Sequence, residues 1–281
     1  KREIIPFFIS RCMRIWPALI VVVGITAVVI GPLFSTFGTG PYFNNPLPYL
    51  YVLNGVFMNN SSALPGLFME NPHPAVVNGS LWTLTYEIGA YLWLLIAFVL
   101  GVFRFRWLVG LLVILVMLDP LWPAPVLFPG HAGNPQIAYL PPCFALGAWM
   151  ALGKRSIRMH WEFVVLLCVL LAAFHETALG PYLFYGVTFS AILWIAVSSF
   201  ALKLKLSMDL SYGTYLWAFP VQQLVVQYFG QAGLAFNIVL SLALTLGCAW
   251  FSWHLVEKPS LALSRQWIRR YKQSAATRSA T

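Results

Sequence analysis

Long apolar runs separated by short polar connections dominate this 281-residue sequence. Eight such runs stand out, at about 15–34, 80–101, 107–118, 137–152, 161–174, 181–200, 210–229 and 235–255. A straight membrane-spanning helix needs about 20 apolar residues. The runs are continuously apolar and lack the alternation of barrel strands. The pattern therefore predicts an all-α fold, a polytopic transmembrane helix bundle with about eight spans in this chain.

The basic residues fall on alternate connections between these runs. All seventeen Lys and Arg residues follow this rule: Lys1, Arg2, Arg11 and Arg14, then Arg104 and Arg106, then Lys154, Arg155 and Arg158, then Lys203 and Lys205, then Lys258, Arg265, Arg269, Arg270, Lys272 and Arg278. Because cytoplasmic connections carry the excess of Lys and Arg, both termini of the chain are predicted to be cytoplasmic and the connections 35–79 and 119–136 to face outside. The three shorter runs count as spans because the alternation fails without them.

The amino-acid composition further restricts the class of protein to which the chain can belong. Hydrophobic residues make up 60% of the chain and charged residues 9%, far from the values of a soluble domain. The net charge of +9 is spread over five connections and forms no single patch, so no nucleic-acid partner is predicted. The four cysteines show no metal-like spacing, and no metal site is predicted. We expect one integral-membrane domain over 1–281, with a basic cytoplasmic tail at 265–281.

Two arginines precede the first apolar core. Arg11 and Arg14 are three residues apart, so on a helix they share a face. Two guanidinium groups on one face at the inner membrane surface can bind phosphate. They can equally serve as topology anchors that contact lipid headgroups.

A carboxylate lies inside the second apolar run. Glu87 is seven residues from the run's outer end at residue 80, about 10 Å deep at the rise of an α-helix, where an unpaired carboxylate costs about 3 kcal/mol or more. Thr83, Glu87 and Tyr91 recur at four-residue spacing and form one polar stripe. The stripe is either a functional surface of the bundle interior or a structural bond to a neighbouring helix. No Lys or Arg is predicted at the same depth.

The seventh run begins with a polar cluster. Ser211, Tyr212 and Tyr215 precede Pro220, which should kink the helix and free a carbonyl. This arrangement fits a helix-packing seam and a cavity wall equally well.

Taken in order, four motifs resemble those of the membrane-bound acyltransferase 3 family. Phe8-x-x-Arg11-x-x-Arg14-Ile15-x-Pro17 is similar to the family's basic motif, and Ser80-Leu81-Trp82-Thr83-Leu84-x-x-Glu87 is similar to its tryptophan–glutamate motif. Ser211-Tyr212-x-x-Tyr215-Leu216-x-x-Phe219-Pro220 and Val256-Glu257-Lys258-Pro259 match two further signatures. The resemblance covers nearly the whole chain.

The resemblance implies about ten spans in a full member, so this chain is expected to lack the first two. The family's proposed catalytic histidine lies in the first span, eleven residues after a basic residue, and none of the five histidines here has that spacing. Ala218 stands where many members carry a histidine.

The implied reaction transfers an acyl group, usually acetyl, from acyl-CoA to a hydroxyl of a carbohydrate or other exported acceptor at the cell membrane. On this interpretation Glu87 is catalytic, Arg11 and Arg14 bind the donor, and the substrate-binding residues are Trp82, Thr83, Tyr91, Ser211, Tyr212 and Tyr215. Acyl-CoA is a co-substrate, with no bound cofactor expected. A transporter or flippase for a lipid-linked or anionic substrate would use similar features, and a non-catalytic scaffold would leave Glu87 unexplained.

Overall fold

The structure is a computed structural model that describes residues 4–59, 63–119, 140–152, 160–203 and 208–277. No strand occurs in this part of the chain, so the all-α prediction is confirmed for it. The second predicted outside connection, after Asp119, and the predicted inside connections at 153–159 and 204–207 lie outside the described residues.

The α-helices are numbered in chain order. They are α1 (Ile4–Ile25), α2 (Gly31–Phe34), α3 (Thr39–Asn44), α4 (Leu47–Val56), α5 (Trp82–Val99), α6 (Arg106–Leu118), α7 (Leu140–Leu152), α8 (Trp161–Phe174), α9 (Gly180–Val197), α10 (Ser199–Lys203), α11 (Ser211–Phe229), α12 (Leu234–Ser252) and α13 (Lys258–Thr277). Two π-helical turns, Thr26–Ile30 and Trp253–Glu257, join α1 to α2 and α12 to α13.

Four helical segments among the described residues are long and apolar enough to cross a membrane. They are Ile4–Phe34, Gly79–Val99, Gly180–Val197 and Leu234–Ser274. The other predicted spans also form helices, but α6, α7 and α8 are shorter, and α11 carries polar side chains that lower its apolar character. The chain is a membrane protein, and the number of eight spans stays a prediction.

The chain divides into two compact units, one made of 1–91 and 208–281 and the other of 92–207. In the second unit, α8 packs against α9 and α6 packs against α7. The prediction of a single domain stays a prediction. Residues 265–277 of the predicted tail continue the helix α13, which packs against α1.

In the first unit, α1 is buried on two sides. One side joins α5 and α11 in an apolar cluster built from Ile15, Ala18, Leu19, Val22, Leu84, Tyr212, Leu216, Trp217, Val221 and Val225. The other side packs against the connection 35–79, where α4 approaches so closely that a Cβ on Gly55 would lie 2.4 Å from Val23 Cγ1. The predicted outside connection is therefore a packed part of the unit.

Buried amides attach this connection to α11. Asn71 Nδ2 donates to the main-chain carbonyl of Gln223 at 2.9 Å, and Gln223 Nε2 donates to the carbonyls of His73 and Val76 at 2.9 and 2.6 Å. Because each bond satisfies a buried polar group that would be costly to leave unpaired, the connection is held firmly on the helix.

Candidate functional site

A cavity of about 360 Å³ lies in the first unit between α1, α5 and α11. Its lining residues are Arg11, Arg14, Ile15, Thr83, Glu87, Tyr91, Ser211, Tyr212 and Tyr215. Three segments far apart in the sequence thus meet around one polar space. Eight of the nine residues that the sequence predicts for a site line it.

The α1 wall carries both arginines. Arg11, Arg14 and Ile15 lie on one face, as their spacing predicts. Ile15 is buried in the apolar cluster, which holds this face of the helix against α11. The two guanidinium groups therefore lie over the cavity while the backbone behind them is fixed.

Arg11 is held between two aromatic rings. Its guanidinium carbon lies 5.5 Å from the ring centroid of Phe7 and 4.8 Å from that of Tyr91. Its Nη1 donates a long hydrogen bond of 3.4 Å to the Tyr91 hydroxyl. Its Nε is buried and has no hydrogen-bond partner among the described residues. The two aromatic rings thus hold Arg11 in place on the cavity wall.

Glu87 lies on the α5 wall. Thr83, Glu87 and Tyr91 all line the cavity, which confirms that they share one face. Tyr91 donates its hydroxyl to Glu87 Oε1 at 2.6 Å, and Arg11 contacts that same hydroxyl. Arg11 is thus joined to Glu87 through the Tyr91 hydroxyl, and the expectation that no Lys or Arg lies at the depth of Glu87 stays a prediction.

The Tyr91 ring is held by two neighbouring side chains. The Arg11 guanidinium lies over its ring, and the ring edge meets Phe7 with centroids 6.1 Å apart. Its contribution to the cavity is mainly the hydroxyl that joins Arg11 to Glu87. The structure does not test its predicted role in substrate binding.

The tyrosines of α11 also direct their hydroxyls to other helices. Tyr212 donates to the carbonyl of Ile15 at 2.9 Å. The Tyr215 hydroxyl lies 2.5 Å from Thr83 Oγ1 and also donates to the carbonyl of Ser80. These bonds fix α11 against α1 and α5, and the two tyrosine rings stack with centroids 6.5 Å apart.

Arg14 forms an ion pair that sequence reasoning missed. Its Nη2 lies 2.6 Å from Asp209 Oδ2. Ser211 donates its hydroxyl to Asp209 Oδ1 at 2.6 Å, and this bond, with the Arg14 charge, holds the pKa of Asp209 below its ordinary value although partial burial opposes the shift. An acidic residue two positions before a serine at a helix start is a local signal for a hydrogen bond like that between Asp209 and Ser211. No local pattern indicates the ion pair with Arg14.

A second overlooked carboxylate belongs to the closing motif. Glu257 is buried at 2% exposure. Its Oε1 accepts a 2.9 Å hydrogen bond from Ser252, while Oε2 has no partner among the described residues. Gly213 makes room for it, because a Cβ there would lie 3.0 Å from Glu257 Oε1.

Trp82 and the histidines of the described ranges do not line the cavity. Trp82 is half-buried, packs edge-on against Tyr86 at 5.9 Å and does not line the cavity, so its substrate role stays a prediction. No histidine among the described residues lines the cavity, and His131 lies outside them. The described residues also hold no cluster of three or more His, Cys, Asp and Glu side chains that could bind a metal.

Comparisons with known proteins identify the family. Residues 1–255 match the family model for the acyltransferase domain of the acyltransferase 3 family. The chain is 27% identical over 278 residues to the O-acetyl transferase of Shigella phage Sf6, across 92% of this chain and 78% of that protein. No solved structure matches the chain. The four motifs occur in the family's order, the helices are apolar, and the family model covers most of the sequence. The chain therefore belongs to the acyltransferase 3 family of membrane-embedded acyltransferases.

Proposed function

We propose that this protein transfers an acetyl group from acetyl-CoA to a hydroxyl of a carbohydrate or another exported acceptor. The observation that carries the proposal is that two arginines and one glutamate line the same cavity. The O-acetyl transferase of Shigella phage Sf6 is a relative along most of the chain and supports the choice of acyl group and acceptor oxygen.

Arg11 and Arg14 bind the phosphates of the donor. Guanidinium groups match phosphate oxygens in pairs of hydrogen bonds, and both arginines line the cavity. The acyl chain and its thioester then extend toward Glu87 and the hydroxyls of Thr83 and Tyr215.

Glu87 serves proton transfer. In the reaction the acceptor oxygen bonds to the acyl carbon, the carbon–sulfur bond breaks, and the hydroxyl proton leaves through a base while the CoA sulfur departs as thiolate or thiol. The resemblance expects a histidine as that base, and we assign Glu87 the task of orienting it. The Tyr91 hydroxyl at 2.6 Å keeps the Glu87 side chain in one position.

The proposed site belongs to the cell (inner or plasma) membrane, with both ends of this chain in the cytoplasm. The partners are acyl-CoA, a carbohydrate-like acceptor and membrane lipids. The exclusively one-sided distribution of the Lys and Arg residues supports this orientation, and no sequence feature supports a nucleic-acid partner.

The test measures thiol release and acyl transfer with radiolabelled acetyl-CoA and purified full-length protein in proteoliposomes, normalised to folded protein. Glu87→Gln keeps the shape and removes the charge, so it should lower kcat by at least about a hundredfold. Arg11→Gln with Arg14→Gln should raise the donor KM with a smaller change in kcat, and Lys at both positions should restore part of the binding.

A matched control removes two arginines outside the cavity. Arg265 and Arg269 are exposed on α13, and replacing both with Gln changes the net charge equally without changing the donor KM. Near-wild-type activity of Glu87→Gln would assign that residue a structural role. Acceptor movement across the membrane without thioester cleavage would instead establish a transporter.

A further inference from the structure

Asp209 contacts two residues of the cavity wall without lining the cavity itself. Its Oδ2 accepts a 2.6 Å hydrogen bond from Arg14 Nη2. Its Oδ1 accepts the Ser211 hydroxyl at 2.6 Å and the Ser211 main-chain N–H at 3.3 Å. Each carboxylate oxygen therefore serves a different element, one reaching α1 and the other the start of α11.

The ion pair between Arg14 and Asp209 contributes little to the stability of the fold. The Arg14 and Asp209 side chains are 25% and 48% exposed, and exposed pairs of this kind contribute little to folding free energy because water screens them. Its geometric effect is larger, since both oxygens are engaged and the carboxylate cannot rotate without breaking a bond to Ser211.

Arg14 has few other contacts that would hold it. Its guanidinium carbon lies 5.8 Å from the Tyr212 ring centroid, a distance at which a cation–π contact is weak. An arginine side chain carries about 2 kcal/mol of rotamer entropy. Without Asp209, the Arg14 side chain would lose much of this rotamer entropy each time an anion bound, and binding would be weaker.

We propose that Asp209 is a positioning residue for the donor: it holds Arg14 on the cavity wall, in place for the donor phosphates, before they arrive. The proposal rests on the assignment of Arg14 to donor binding. Arginine has five N–H donors, and Asp209 engages Nη2 alone, so donors remain for a phosphate. The negative charge of Asp209 is half-exposed and screened, and its repulsion of the phosphate is smaller than the gain from a fixed guanidinium.

The decisive variant is Asp209→Asn, which keeps the shape and an acceptor for Ser211 but loses the charge. We expect the Kd for acetyl-CoA, measured by calorimetry on purified full-length chain in detergent, to rise about tenfold. The kcat at saturating donor should change by less than about twofold, because the side chain does not touch the reacting atoms. Asp209→Glu keeps the charge and should recover part of the affinity.

A double-mutant cycle separates positioning from general structural support. In an Arg14→Gln background, Asp209→Asn should cause no further loss of donor affinity, because its effect passes through Arg14. The control Glu70→Gln removes an exposed carboxylate that does not line the cavity and should bind acetyl-CoA like the wild type.

Three results would overturn the proposal: an unchanged Kd in Asp209→Asn, a tighter Kd, or a loss that adds fully to that of Arg14→Gln. A tighter Kd would show that Asp209 competes with the donor. If the wild-type protein itself neither binds nor cleaves acetyl-CoA, the proposed function fails; if it does both and Asp209→Asn matches it, only the positioning role fails.

Discussion

Asn78 donates its side-chain amide to the main-chain carbonyl of Leu216 at 3.0 Å, and this bond is buried. Pro220 lies four residues after Leu216 in α11 and has no N–H to donate to that carbonyl. The carbonyl that the proline leaves without its usual helical donor is thus satisfied from the end of the connection 35–79. The sequence predicts that Pro220 frees a main-chain carbonyl, and the structure identifies the Asn78 amide as the donor to it.

Replacing Asn78 should destabilise the protein. Asn78→Ala leaves the buried carbonyl of Leu216 without a donor, which costs about 1–3 kcal/mol, and Asn78→Asp should cost at least as much because a carboxylate cannot donate. The midpoint of thermal unfolding in detergent measures this. Gln222→Ala removes an exposed amide of the same helix and should have almost no effect. Equal midpoints for the two Ala variants would contradict the role of this bond.

Tyr91→Phe should impair turnover more than donor binding. The substitution removes the hydroxyl that bonds to Glu87 at 2.6 Å but keeps the ring under the Arg11 guanidinium. We expect kcat to fall about tenfold while the donor KM changes less than about twofold. Tyr91→Leu also removes the ring and should raise the donor KM as well. A kcat of Tyr91→Phe equal to that of the wild type would separate Tyr91 from the function of Glu87.

Gly213→Ala tests the contact of α11 with α12 and with the π-helical turn Trp253–Glu257. The added Cβ would lie 3.0 Å from Ala249 Cα and 3.0 Å from Glu257 Oε1, and the backbone atom cannot move aside cheaply. Overpacking of this kind costs about 1–3 kcal/mol. Gly247→Ala on α12 meets nothing within 4 Å and should be neutral or slightly stabilising. The thermal unfolding midpoints of Gly213→Ala and Gly247→Ala, measured side by side, test this prediction.

The Arg14–Asp209 pair should resist mild acid. The pKa of Asp209 is lowered by the Ser211 hydroxyl and the Arg14 charge, so its contribution to stability is present above the ordinary aspartate pKa of about 4 and is lost only as the pH falls through the lower folded value. The difference in unfolding midpoint between wild type and Asp209→Asn should stay constant from pH 8 to about pH 5 and shrink only below about pH 4. A difference that vanishes near pH 6 would rule out this pair as its source.

Cysteine labelling tests the predicted orientation. With the four native cysteines replaced, Glu70→Cys in the connection 35–79 should react with an impermeant maleimide in intact cells, because that connection is predicted to lie outside. Arg104→Cys should react only after permeabilisation. Both positions are exposed, so access to reagent depends on the side of the membrane. Labelling of Arg104→Cys in intact cells would overturn the topology.

The features of this protein that depend on local spacing and on apolar content can be predicted from the sequence. Continuous apolar runs imply helices because a membrane leaves backbone groups no other partners. Four-residue spacing brings Thr83, Glu87 and Tyr91 to one face because α-helical geometry repeats every 3.6 residues. The family could be recognised because four motifs keep their order along the chain. The number of spans is harder to predict from the sequence, because α6, α7 and α8 are apolar but short.

Tertiary structure decided which of these faces meet. Arg14 and Asp209 are 195 positions apart, and Asn78 and Leu216 are 138 apart, and no local pattern encodes such pairs. Arg11 reaches Tyr91 because α1 and α5 both contribute side chains to one cavity, and Glu257 reaches Gly213 because that residue has no side chain to exclude it. Helix packing selects these contacts through shape and burial along the whole helix, and so the partners of the charged residues emerge only when the helices are assembled.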